Sequence, residues 1–123
     1  MEVILTPNAP SAIGPYSQAI KVNGMIYTSG QIALNKDGIL IEGDVETQTR
    51  QVLENLKEVL KEGGSSFERV IKSTIYLSNM DDFGVVNSVY GEYFTTHLPA
   101  RSTVAVKTLP KNVDVEIDLI ALA

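Results

Sequence analysis

The stretch Val113-Asp114-Val115-Glu116-Ile117-Asp118-Leu119-Ile120-Ala121-Leu122 alternates apolar and acidic residues with a period of two, the pattern of a strand buried on one face. Val113, Val115, Ile117 and Leu119 share that face, and Asp114, Glu116 and Asp118 share the other. Such a strand needs apolar cover on one side only, so the helices of the chain belong on a single face of a sheet.

Immediately upstream, residues 101–108 form a second β-branched run, joined to the first by the turn Leu109-Pro110-Lys111-Asn112. The two are expected to pair as a hairpin, with Arg101 in a strand close to the middle of the sheet. If Val104 and Val106 meet the helices, Arg101, Thr103 and Ala105 join Glu116 and Asp118 on the uncovered face. Ile120 and Leu122 lie on that face too. A sheet face that mixes apolar and charged residues predicts an interface with other copies of the chain in a closed ring. A buried guanidinium cannot shed its charge and needs an anion opposite it. On the residues alone that anion is a cross-strand carboxylate, Glu116 or Asp118, or else a bound ligand.

Further out, Asp44 is a good N-cap, and Val45, Thr49, Val52, Leu53, Leu56, Val59 and Leu60 draw one apolar stripe down a helix that stops at Gly63-Gly64. Residues 70–77 read as an interior strand with Ile71, Ile75 and Leu77 on one face. Asp81-Asp82 is expected to cap a second helix whose apolar face is Phe83, Val86, Val89, Tyr90, Tyr93 and Phe94. Towards the N-terminus, residues 16–22 and 25–29 form a hairpin about Asn23-Gly24, the pair best suited to a type I′ turn. Residues 1–5 add an edge strand, broken off by Pro7 and Pro10. The expected architecture is one α+β domain spanning residues 1–123, a mixed sheet of about six strands with two helices on one face.

Composition narrows the chemistry. The chain has no cysteine and one histidine, His97, which removes thiolate nucleophiles, disulfides, zinc clusters and Ser-His or Cys-His catalysis. A net charge of −5 opposes phosphate backbones, so electrostatics argues against nucleic acid as a partner. No apolar run reaches the roughly 20 residues of a membrane span and no signal peptide is visible, which makes a cytoplasmic location the expectation. There is no phosphate loop, nucleophile elbow or metal-ligand spacing. Taken singly, Tyr16 and Ser29 read as an ordinary strand tyrosine and a strand-end serine.

The ordered segments Ala12-Ile13-Gly14-Pro15-Tyr16-Ser17-Gln18-Ala19, Thr28-Ser29-Gly30-Gln31-Ile32, Val86-Asn87-Ser88-Val89-Tyr90, Pro99-Ala100-Arg101-Ser102 and Val115-Glu116-Ile117, with the helix between them, closely resemble the reactive-intermediate deaminase (Rid) family, also called the YjgF or endoribonuclease L-PSP family. The resemblance covers almost the whole chain. It implies a chorismate-mutase-like fold, a homotrimer with sites in clefts between subunits, and hydrolysis of 2-imino acids, such as 2-iminobutanoate and 2-iminopropanoate, to 2-oxo acids and ammonia. Those imines leave pyridoxal-phosphate enzymes such as threonine dehydratase, and their removal protects other enzymes of that class. Arg101 is implied as the carboxylate anchor and Glu116 as the group that holds and deprotonates water. The resemblance also implies that Tyr16, Ser29 and Gly30 line the pocket and that Asn87 adds a polar contact. Neither metal nor cofactor is required, because a protonated imine is already electrophilic. Thr103, implied as a further substrate-binding position, stands where many members have cysteine, and the segment Thr95-Thr96-His97-Leu98 is shorter than in many relatives, which leaves the substrate side chain open. A non-catalytic sensor of small carboxylates is the alternative reading, and an endoribonuclease ranks third.

Overall fold

The computed structural model describes residues 1–123. Its strands are β1 (Glu2–Ile4), β2 (Ala19–Val22), β3 (Met25–Thr28), β4 (Val70–Leu77), β5 (Ala100–Ala105) and β6 (Val115–Leu122), and its helices are α1 (Val45–Glu62) and α2 (Phe83–Tyr93). They build one six-stranded mixed sheet in the order β1-β2-β3-β6-β4-β5, an α+β architecture. The β2–β3 hairpin turns at Asn23 and Gly24, both at positive φ (51° and 76°), as the Asn-Gly pair requires.

Strand β6 is the spine. It pairs antiparallel with β3 on one side and with β4 on the other. Its residues Val115, Ile117, Leu119 and Ala121 are all essentially inaccessible to solvent, so the period-two pattern translates directly into a buried face. Helix α1 covers that face with Val52, Leu53, Leu56, Val59 and Leu60, each fully buried and each stabilising the fold by about 1.5–3 kcal/mol. Asp44 caps α1 by accepting a hydrogen bond from the Thr47 N–H (2.9 Å).

Three expectations need correction. First, β5 and β6 are not a hairpin: β5 pairs parallel with β4 at the sheet edge, so β4 separates the two. Parallel neighbours need a crossover, and α2 supplies it between β4 and β5. Second, Ile71 does not share a face with Ile75 and Leu77. A bulge between Val70 and Lys72 turns Val70 into the core and leaves Ile71 40% exposed. Third, Asp82 makes no capping hydrogen bond. The chain enters α2 through a 3₁₀ turn, Met80–Asp82, capped by the Asn79 side chain, which accepts from the Asp81 N–H (2.9 Å).

Candidate active site

Glu116 projects from β6 onto the face that carries no helix, between the inward-facing Val115 and Ile117. The chain leaving β3 runs directly over it. Gln31 and Ile117 exchange both backbone hydrogen bonds (2.9 and 3.2 Å), and Thr28 Oγ1 accepts from the Leu119 N–H (2.9 Å), which carries the pairing of β3 along β6. Gly30 is thereby pressed against Glu116: a Cβ there would lie 2.8 Å from the carboxyl Cδ. Only glycine allows the approach. The Gly30 N–H donates to no group of the chain.

Ser29 binds the preceding segment, donating its hydroxyl to the Ser17 carbonyl (2.5 Å) and its N–H to the Gln18 carbonyl (2.9 Å). That holds Tyr16 beside the cleft, where the residue is 54% exposed. Gln18 is buried beneath, accepting from the Thr6 N–H (2.7 Å) and donating to the Thr6 and Pro10 carbonyls (3.1 and 2.8 Å), so one carboxamide fixes the N-terminal wall. The opposite wall hangs from α1, where Asn55 donates to the Leu34 carbonyl (2.8 Å). Between them lies an open cleft of about 580 Å³ lined by Tyr16, Ser29, Gly30, Gln31, Lys111 and Glu116 among others.

Arg101 lies elsewhere. In the parallel register it pairs with Ser73, which is fully buried on the helix face, whereas Glu116 pairs with Tyr76 on the uncovered face. Arg101 and Glu116 therefore occupy opposite faces of the sheet, and the expected cross-strand ion pair does not form. Alternation alone assigned the valine side of β5 to the core. An edge strand beneath α2 has room for the reverse, and Val104 is instead 43% exposed. The Arg101 guanidinium carbon sits 4.9 Å from the Tyr90 ring centroid and 5.6 Å from that of Phe83. No carboxylate answers it: the salt bridges of the chain join Arg50 to Glu46 and to Glu92. Asn87 shares with Arg101 a second cleft of about 430 Å³, with Tyr90, Gly91, Leu98 and Pro99 around them. Thr103 is on the Arg101 side of β5, paired with the buried Ile75, and lines neither cleft; its hydroxyl is buried without a partner.

The predicted residues thus divide into two half-sites, Tyr16, Ser29, Gly30 and Glu116 in one and Arg101 and Asn87 in the other. Burial pushes the Glu116 carboxyl above its ordinary range, and the nearby negative charge of Asp118 pushes it further. A half-buried carboxylate with no cationic partner is a stronger base than a free one. An aromatic-stacked guanidinium with no counter-ion is a ready anchor for an incoming carboxylate. No group of three His, Asp or Glu residues converges as a metal ligand set.

Sequence reading missed several participants. Lys111 reaches the Glu116 cleft from a turn at positive φ (57°), a placement that depends on tertiary packing. Phe83 and Tyr90 stood out only as an apolar stripe on α2, although their spacing of seven residues already put them on one face. Gln18 and Asn55 are buried polar residues whose partners are backbone carbonyls remote in sequence, which no local pattern reports.

A model of the family described as Endoribonuclease L-PSP matches residues 6–123. The mouse 2-iminobutanoate/2-iminopropanoate deaminase is 48% identical over 122 residues, covering 98% of this chain and 90% of the mouse protein. The crystal structure of the Escherichia coli YjgF gene product superposes with a TM-score of 0.94 at 42% identity, over 99% of this chain and 98% of that one. That of Escherichia coli TdcF with bound serine superposes with a TM-score of 0.95 at 40% identity, over 100% of this chain and 99% of that one.

Proposed function

Because the chain belongs to the endoribonuclease L-PSP family, also called Rid or YjgF, and has its chorismate-mutase-like fold, we propose that it hydrolyses 2-imino acids such as 2-iminobutanoate and 2-iminopropanoate to 2-oxo acids and ammonia. The observation that carries this reading is the Arg101 guanidinium, stacked on aromatic rings and left without a carboxylate. A planar fork of donors suits both oxygens of an α-carboxylate. The mouse relative, named for this reaction, supports the substrate class.

The two half-sites face opposite sides of one sheet, so a single chain cannot offer both to one small substrate. Assembly resolves this. In a homotrimer, Arg101 and Asn87 of one copy meet the Glu116 cleft of the next, and the exposed apolar residues beside the half-sites, Ile13 and Leu98, are covered. Arg101 holds the substrate carboxylate, with Tyr16 Oη and the free Gly30 N–H completing its hydrogen bonds. Glu116 takes a proton from water as the oxygen attacks C2 of the protonated imine. Glu116 then passes that proton to the amino nitrogen of the tetrahedral adduct, takes the hydroxyl proton as the C–N bond breaks and the C=O bond forms, and loses it to solvent as ammonia and the 2-oxo acid leave. No metal or cofactor enters the balance.

Adding the protein to a threonine dehydratase reaction is expected to accelerate ammonia release beyond spontaneous hydrolysis. Arg101→Ala removes charge-assisted bonds worth about 1.5–3 kcal/mol and is expected to raise KM roughly tenfold to 150-fold. An unchanged rate for the folded variant refutes the anchor role. A non-catalytic sensor of small carboxylates is a second reading, favoured by the serine bound to TdcF. Saturable 2-oxo acid binding without imine turnover would establish it. The ribonuclease activity in the family's name sits poorly with a net charge of −5.

A further inference from the structure

We propose that Tyr90 is a positioning residue that holds the Arg101 guanidinium in place through its ring face, and that the buried hydroxyl of Ser73 locks that ring. The inference deepens the deaminase reading and rests on it for the substrate.

An arginine on an edge strand has four rotatable side-chain bonds and a preference for solvent, so an anchor of defined geometry has to be held by something. Usually a carboxylate does this, but a carboxylate would also neutralise the charge that a substrate needs. Here no acidic group lies within salt-bridge distance. Two aromatic faces hold it instead, and that of Tyr90 is the nearer, at 4.9 Å. A ring face attracts the guanidinium without carrying a net charge of its own, so the positive charge stays available to a substrate carboxylate.

The ring itself cannot turn. Its hydroxyl lies 2.6 Å from the hydroxyl of Ser73, and Ser73 is the parallel-register partner of Arg101, so one rung of the sheet carries both the anchor and the lock of its support. Phe94 stacks on Tyr90 at 4.3 Å between centroids, with 22° between the ring planes. Ser73 is fully buried and Tyr90 is 6% exposed, so water does not compete for the hydroxyl pair.

The experiment compares Tyr90→Phe, which keeps the ring, with Tyr90→Leu and the more space-filling Tyr90→Met, which remove it. All are assayed in the threonine dehydratase reaction after circular dichroism and thermal melting have verified folding. Removal of the ring is expected to raise KM about three- to thirtyfold with kcat within twofold, and Tyr90→Phe, which keeps the ring but loses its bond to Ser73, to raise KM by a smaller factor of about two to three. A second readout needs no substrate. The Arg101 Nε–Hε resonance in a ¹H–¹⁵N spectrum is expected to be displaced upfield by the ring in wild type and Tyr90→Phe, and to return toward its ordinary position in Tyr90→Leu and Tyr90→Met. A folded ring-less variant with wild-type KM and an unmoved resonance overturns the proposal. Absence of turnover by the wild-type protein would instead defeat the deaminase reading, and the resonance would still decide the role of Tyr90.

Discussion

Replacing Gly30 by alanine isolates the contact on which the Glu116 cleft is built. The added methyl carbon would lie 2.8 Å from Glu116 Cδ and 3.1 Å from Cγ, whereas ordinary contact begins at 3.4 Å. The carboxyl carbon therefore has to retreat by at least 0.6 Å (3.4 − 2.8), and its nearer oxygen by more. Misplacing a reacting group by about 1 Å can cost about 10²-fold in rate, so kcat for imine hydrolysis is expected to fall roughly ten- to hundredfold. Stability should change little. Gly30 has no positive φ, the group that must move is half-exposed, and the loss of unfolded-state freedom returns about 0.4–1 kcal/mol. Stopped-flow ammonia release with a melting curve on the same sample separates the two effects. Shortening the acid in Gly30→Ala/Glu116→Asp makes room for the methyl, so the double variant should be no slower than Glu116→Asp alone. Wild-type kcat in Gly30→Ala, or strictly additive losses in the double variant, would refute the reasoning.

Other outcomes follow from the same structure. Folding raises the Glu116 pKa above 4.5, so the folded state favours the protonated form and ionisation costs stability at neutral pH. Glu116→Gln is accordingly expected to melt higher than wild type at pH 7–8, with the gap closing as pH falls through the raised folded pKa toward 4.5 and absent below it. On the proposed role of Glu116 as a carboxylate base, the acid limb of the kcat profile should lie above pH 4.5 in wild type and move down in Asp118→Asn, which removes the neighbouring negative charge. Asn55→Ala leaves the Leu34 carbonyl without its buried donor and should cost about 1–3 kcal/mol in urea unfolding. Leu53→Ala, in the fully buried centre of α1, should cost about 2–5 kcal/mol, and a value below 1 kcal/mol would contradict the packing.

Much of the site was legible as chemistry and little of it as geometry. Ser29, Gly30 and Glu116 were singled out from sequence and do meet, because Gln31 pairs with Ile117 and brings the end of β3 across β6. Arg101 was also singled out, but on the wrong face and in the wrong strand order. Its local pattern, with valines on one side and an arginine on the other, is what an interior strand would show, and nothing within residues 100–105 reports that β4 lies between β5 and β6. Thr103 entered by likeness of position and lines neither half-site.

What the amino-acid sequence determines by itself is the set of elements and the buried face of most of them. Residues two apart on a strand, or three and four apart on a helix, share a face whatever surrounds them, so β6, α1 and the Asn-Gly hairpin follow from local spacing. Which strands become neighbours is a global matter. The tertiary structure alone inserted β6 between β3 and β4 and sent β5 to the edge beneath α2. Those choices satisfy backbone hydrogen bonds and core packing across long stretches of chain. They leave an uncompensated guanidinium on one face of the sheet and an unpaired carboxylate on the other.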